Sequence, residues 1–282
     1  MNIIGVVILY QPDTSILFDH INSYLPALDK LLLFDNSEIY SSELEQLIQD
    51  QNSAKLLYRF YNENAGIAKR LNQAAEYAIE NGYDYLLMMD QDSGFMDQDF
   101  PKYLQKISVN QIENVVQFGV NYQPHITKPN SEPQEVIQLI TSGSVLNLKY
   151  FKRVGNFNEA LFIDFVDTEY SIRAVEKGYN NLMICDIILK HRIGFLKMGR
   201  SLKNFKLTPR ILHSPVRVYY ILRNGLYLLF GDHKVKGAHR NVVLQSIWIL
   251  KNDFIYHTNL AAVYNNAFWA VIDFFRKKMG KK

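Results

Sequence analysis

Two aspartates one residue apart, Asp90 and Asp92, close the apolar run Tyr85–Met89. If that run is a strand, side chains at i and i+2 share a face, so both carboxylates point the same way at its carboxyl end. Carboxyl ends of strands are where open α/β sheets bind ligands. Like charges held so close repel, and a cation or a positive partner between them relieves the cost. Hard divalent ions take oxygen ligands, and Mg²⁺ joins one or two carboxylates to substrate phosphates. The competing reading is a solvated turn after a strand.

Other polar groups follow apolar runs in the same way: Asp35-Asn36-Ser37, Asn62–Gly66 and His191. Asp35 can accept from a ring N–H of a pyrimidine; an Asx-type turn or helix cap is the alternative. Gly66 permits close backbone approach and opens a helix whose N-terminus favours anions, and plain turn geometry explains a glycine there equally. Asp167 opens a further helix after the apolar lead Leu161, Phe162 and Phe165. A carboxylate in that setting can serve as a general base or simply as an N-cap. Glu169 and Arg173 stand i,i+4 on that helix, the spacing of a surface ion pair. His191 can be a metal ligand or a phosphate donor, or an ordinary surface histidine.

The elements that must position these groups alternate. Ile3–Tyr10, Lys30–Phe34, Lys55–Phe60 and the run to Asp90 read as buried strands. A helix starting at Pro12-Asp13-Thr14, a second at 41–51 and a third from Ile67 to Asn81-Gly82 separate them. Strand–helix alternation with short connections predicts a parallel sheet covered on both faces. Beyond Ser93, Val115–Tyr122 and Asn181–Leu189 read as strands, Phe151–Phe157 as a short turn of helix, and Pro124–Pro133 as an irregular loop. After Gly194 the alternation stops, and 214–231 and 237–278 read as helices with aromatic faces. We therefore expect two parts, 1–212 carrying the sheet and 213–282 forming a helical extension.

Composition bounds the rest. The 282 residues are 48% hydrophobic and 21% charged, with a net charge of +3, too small to argue for nucleic acid. Basic residues nevertheless cluster at 190–206 and 276–282, as suits phosphate groups, an anionic membrane or a solvated face. The single cysteine, Cys185, excludes an internal disulfide and fits a reducing cytosol. No apolar run reaches the roughly 20 residues that cross a bilayer. Phe268, Trp269, Ile272 and Phe275 recur at helical spacing and Arg276, Lys277 and Lys278 follow, so this helix is expected either on the inner face of a membrane, on the core, or on a second subunit of a homodimer.

Taken in order, Val6–Pro12, Asp35-Asn36-Ser37, Asn64–Ala68, Asp90-Gln91-Asp92-Ser93, Phe162–Arg173, His191–Gly194 and Arg217–Asn224 resemble the family 2 glycosyltransferases of GT-A fold, nearest the bacterial rhamnosyltransferase branch. The resemblance spans about residues 3–230. It implies a nucleotide-sugar donor, dTDP-L-rhamnose by branch or a UDP-sugar as the alternative, and a glycan or lipid-linked glycan acceptor in O-antigen or capsule synthesis. It implies Mg²⁺ or Mn²⁺ at Asp92 and His191, and Asp167 as the base of an inverting displacement. Tyr10, Asp35, Asn64, Gly66, Asp90, Gln91 and Asp92 would hold the donor. Lys69-Arg70 departs from the family pattern, where relatives often carry small residues. Two remoter readings are a D-x-D phosphohydrolase with an aspartyl nucleophile, though such motifs sit on the first strand, and a sugar-nucleotide-binding scaffold, which would not need Asp167.

Overall fold

The computed structural model describes residues 1–96, 99–122, 132–190, 195–201, 205–231 and 235–282. The first half runs β1 (Ile3–Leu9), α1 (Thr14–Ile21), β2 (Lys30–Asp35), α2 (Ser42–Asp50), β3 (Leu56–Phe60), α3 (Ile67–Glu80), β4 (Tyr85–Asp90), β5 (Gly94–Phe95), α4 (Asp99–Ser108) and β6 (Val115–Asn121). There follow β7 (Gln134–Glu135), β8 (Ser144–Asn147), α5 (Leu148–Val154), α6 (Val166–Glu176), β9 (Asn180–Lys190), β10 (Phe195–Arg200) and β11 (Leu207–Leu212). The chain continues through α7 (Pro215–Phe230), α8 (Arg240–Trp248), α9 (Lys251–Tyr256) and α10 (Leu260–Phe275).

Period-two alternation in the buried strands explains the layers. Ile4, Val6, Leu32, Phe34, Leu86 and Met88 face one core with the alanine stripe of α3. Their neighbours Ile3, Val7, Leu31, Leu33, Leu87 and Met89 face a second core with α1, α2 and α4. Strands buried on both faces are the mark of parallel sheets. The sheet order is β3-β2-β1-β4-β8-β6-β9-β5, with β7 on β9. The long ladders β3-β2-β1-β4 and β6-β9 are parallel, and β8 joins them antiparallel. Strand order reverses between β1 and β4, the switch point at which such sheets bind ligands.

The α/β sheet with covered faces and a helical C-terminal part matches the expected architecture. Three features differ. Helix α4 was not anticipated. Segment 237–278 is broken into α8, α9 and α10; the α9–α10 break arises because His257 turns extended and the Asn259 side chain then caps α10 by accepting from Ala262 N at 3.0 Å. Beyond Gly194, where the sequence pattern predicts only helices, β10 and β11 pair as an antiparallel hairpin. Helices α7, α8 and α10 add Val218, Ile221, Leu228, Val243, Val263 and Ala267 to the same core as α3 and α6.

Candidate active site

One wall of the site is built by the ladder. Register sets Leu9 beside Asp35 and Ile8 beside Asp90, so the two aspartates reach the carboxyl edge one residue step apart. Asp35 is 1% exposed. One of its oxygens accepts from Ser37 N at 3.0 Å, an Asx turn, and the other from the Tyr58 hydroxyl at 2.8 Å. Each carboxylate oxygen keeps a further lone pair for a ligand N–H. Burial, then the Asp35 carboxylate, raises the Tyr58 hydroxyl well above its ordinary value, which keeps it a donor.

Gln91 closes the switch point: Tyr10 N donates to its Oε1 at 2.8 Å and its Nε2 donates to Tyr10 O at 3.2 Å. The side chain is thus engaged with the backbone of Tyr10, a residue 42% exposed. Strand β4 ends at Asp90, and Ser93 N donates back to Asp90 O across a turn. Asp92 therefore stands in the turn, two residues past the end of the strand, and not on the pleat that same-face alternation assumes. The two carboxylates still interact, because the charge of Asp92 raises the Asp90 pKa.

Asn64 Oδ1 accepts from Asn36 Nδ2 and Gly66 N at 3.0 and 3.1 Å, while Asn36 Oδ1 accepts from Ala65 N and Arg70 Nε. Arg70 is fully buried and lies 3.6 Å from the centre of the Tyr61 ring. It clamps the loops after β2 and β3, which explains a large residue at this departure from the family pattern. Gly66 does permit close approach, but of the protein itself: at φ 85°, a Cβ would sit 2.6 Å from Phe162, and Ile67 N donates to Phe162 O at 2.8 Å.

Phe162 belongs to the second wall, which is a turn. Ile163 N donates to Leu161 O at 2.8 Å around Phe162 at φ 65°, ψ −66°, the rare γ-turn. Asp164 and Phe165 follow at φ 59° and 66°. Non-glycine residues in this region each cost about 1–3 kcal/mol and persist only where surroundings hold them. Asn224, buried on α7, does so by donating from Nδ2 to Leu161 O, Ile163 O and Asp164 O at 2.8–2.9 Å. Asp164 is held in a forked ion pair with Arg217.

Asp167 lies in the first turn of α6, with Oδ1 accepting from Thr168 N at 2.7 Å and Oδ2 from Thr141 N at 3.2 Å. The next residue, Ser142, accepts from Asp90 N at 3.2 Å. Thr141-Ser142 thus ties Asp167 to the end of β4. Glu169 turns away to Arg173, 2.7 Å distant, as the i,i+4 spacing predicts, although the pair is largely buried and not on the surface.

The site is crowded with negative charge. Burial first, then Asp92 and Asp167, push the Asp90 carboxyl up to about 7, against which Arg217 acts. Burial also raises Asp167, with the Thr168 and Thr141 N–H groups opposing. Asp164 foremost, then Asp90 and Asp167, hold the Arg217 guanidinium above its ordinary value. Arg217 is the cation beside these carboxylates that single-residue reasoning misses; its signal is the Arg217–Asn224 motif.

Among the described residues, no group of three or more His, Cys, Asp or Glu side chains is arranged to hold a metal. Two repelling carboxylates at a strand end fit an ion whose shell is completed by substrate phosphate. His191 lies outside the described residues, as does most of the loop expected at 124–133.

Sheet order, switch point and the strand-end aspartates define the GT-A fold. In a comparison with solved structures, S. aureus TarS 1–349 in complex with UDP-GlcNAc has a TM-score of 0.54 at 16% identity, covering 99% of this chain and 82% of that one. The mannosyltransferase PcManGT from Pyrobaculum calidifontis, in complex with GDP-Man and Mn²⁺, scores 0.55 at 10% identity, covering 96% and 74%. GalNAc-T7 with UDP, GalNAc and Mn²⁺ scores 0.56 at 12%; there 67% of this chain spans 43% of the other. At such identities the likeness is one of fold. No family model matches the chain. In sequence it is similar to a dTDP-rhamnosyl transferase, RfbF, of Shigella flexneri: 29% identical over 254 residues, 82% of this chain and 81% of the relative. The resemblance drawn from the motifs is met in both sequence and fold.

Proposed function

We propose that the chain is an inverting glycosyltransferase that moves L-rhamnose from dTDP-L-rhamnose to a glycan or lipid-linked glycan acceptor of a cell-surface polysaccharide. The observation that carries this is the convergence of Asp90, Asp92 and Asp167 at the switch point, joined through Thr141-Ser142 and faced by Arg217. The similarity to a dTDP-rhamnosyl transferase supports the donor.

Asp35 and the Tyr58 that orients it read the pyrimidine, and the carboxyl edge near Tyr10, Gln91, Asn64 and Gly66 receives the nucleotide. Asp90 and Asp92 would hold Mg²⁺ or Mn²⁺ with the diphosphate, and two of the solved neighbours contain Mn²⁺. A bound divalent ion supplies offsetting charge for the departing nucleoside diphosphate. Asp167, raised by burial and fixed by two backbone N–H groups, takes the proton of the acceptor hydroxyl. The acceptor oxygen bonds to the anomeric carbon as the bond from that carbon to the diphosphate breaks, inverting the centre. Arg217 faces the same region and answers the charge that leaves. In this scheme residues 1–212 carry the donor site and the base, and 213–282 supply Arg217 and shape the acceptor side.

Release of nucleoside diphosphate from dTDP-, UDP- and GDP-sugars, with and without chelator, tests the reading. We expect metal-dependent release, with dTDP-rhamnose preferred at least tenfold in kcat/KM, about 1.4 kcal/mol. A tenfold preference for a UDP-sugar overturns the donor, and trapping of an aspartyl-phosphate overturns the reaction class.

A further inference from the structure

The chain is electrostatically divided. Residues 1–194 contain 15 Lys and Arg against 25 Asp and Glu, whereas residues 195–282 contain 16 against three. Of those three, Asp253 and Asp273 are buried, paired with His213 and Tyr219, and Asp232 lies outside the described residues. Among the described residues of the basic part, no aspartate or glutamate is exposed.

The β10–β11 hairpin in this part has two unlike faces. One is fixed to α9: Lys197 Nζ donates to Tyr256 O at 2.8 Å, and Arg210 lies over the Tyr256 ring. Gly199 sits against the same ring, where a Cβ would be 2.9 Å from it. At the foot of the hairpin, His213 bonds through N and Nδ1 to the buried Asp253 carboxylate at 2.7 and 2.9 Å. Side chains alternate across a strand, so with one face spent on α9 the other points outward. It carries Leu196 at 74% exposed, Met198 at 58% and Leu207 at 60%, with Phe205 at 73% in the turn. Arg200 pairs across from Leu207, and exposed Lys206 adjoins it. A two-stranded hairpin is marginal by itself, and an apolar outer face on one that is already anchored marks a contact surface.

We infer that this hairpin face docks on an anionic lipid bilayer, its apolar side chains entering the headgroup boundary and its basic residues meeting the lipid charge. Apolar area plus basic charge is the combination that holds peripheral proteins at such interfaces. Through a two-fold contact, a second copy would bring two basic faces together, whereas an anionic surface is attracted by both. No helix among the described residues is long and apolar enough to cross a membrane, so the contact is peripheral. The expected site, the C-terminal helix with its basic tail, is modified. Phe268, Trp269 and Phe275 are exposed and Ile272 partly buried. Lys277, however, at φ 54°, ends the helical course, and the tail turns back. Gly280 N donates to Ala160 O, Arg223 donates to Gly280 O, and Lys281 pairs with Glu38 at 3.2 Å. The tail serves the site rim, and the hairpin becomes the principal lipid contact. The inference does not need the proposed transfer reaction; with it, β11 leads directly through Ser214 to Arg217, setting the acceptor side near the lipid.

Flotation of the full chain tests it, using phosphatidylcholine vesicles with or without about 30 mol% phosphatidylglycerol at roughly physiological salt. Leu196→Ser/Met198→Ser/Leu207→Ser tests the apolar face, Arg200→Glu/Lys206→Glu the charge, and Ile39→Ser is a control on the acidic part. We expect wild type and the control to float with anionic vesicles only, and each hairpin variant to lose at least tenfold in partitioning. Thermal unfolding checks that each variant is folded, and nucleoside diphosphate release from a soluble donor should be unchanged in the triple variant. Wild type that fails to float, or a triple variant that floats as well as wild type, overturns the inference. So does a triple variant that converts a dimer to monomer while flotation persists. Absent donor turnover with intact, hairpin-dependent flotation would count against the transferase reading alone.

Discussion

The two walls of the site are held in opposite ways. Asp35 sits at the end of a strand between two parallel neighbours and Asp90 at the end of one between a parallel and an antiparallel neighbour, so in both cases many backbone bonds share the work and register sets the position. Asp164 and Asp167 depend on a turn with three non-glycine residues at positive φ, kept by a few side chains some 53–63 positions away in sequence. A ladder tolerates the loss of one contact because its neighbours remain. A strained turn relaxes when its clamp is removed. The donor wall should therefore fail only through its functional groups, and the turn wall also through its supports.

The largest effect should come from Asp92→Asn, which is expected to remove most turnover while leaving the melting temperature nearly unchanged; excess chelator should do the same to wild type. Full activity in either case would end the metal assignment. Asp167→Asn should lose about 10²- to 10⁴-fold in kcat with calorimetric donor affinity retained. Asp164→Asn should instead free Arg217 and perturb KM; if it alone abolishes turnover, the base is misassigned.

The supports come next. Asn224→Ala leaves three backbone carbonyls of the turn without that donor and should cost about 2–3 kcal/mol in denaturant unfolding, with kcat lowered as the turn loosens. Gly66→Ala forces a Cβ onto Phe162 and should destabilise by about 1–3 kcal/mol, a defect that Phe162→Ala could not relieve fully because Phe162 O is equally near. Unchanged stability in both variants would erase the contrast between the walls. The smallest effect is in pH dependence. A base acts only when deprotonated, and the folded environment raises Asp167 above 3.8. Activity should thus fall as pH drops through a midpoint above that value, and Asp167→Asn should remove that component of the acid limb while leaving the one set by Asp90 at about 7.

By itself the sequence determined the alternation of strands and helices in the first half, and with it the arrival of Asp35, Asp90 and Asp92 at one edge. Helix and strand periods are local, and burial on both faces writes them plainly in Val, Ile and Leu. It also marked Asp167 and separated it from Glu169, since i,i+4 spacing sends the latter to Arg173. Only the tertiary structure decided that Gly66 yields to Phe162, that Arg70 is a buried clamp, and that Arg217 faces the carboxylates. Each of these joins residues far apart in the chain, and no local period encodes such a meeting. The hairpin was lost for a related reason. An outward apolar face beside charged residues imitates the irregular pattern of a loop until the partner strand and the helix beneath it are seen.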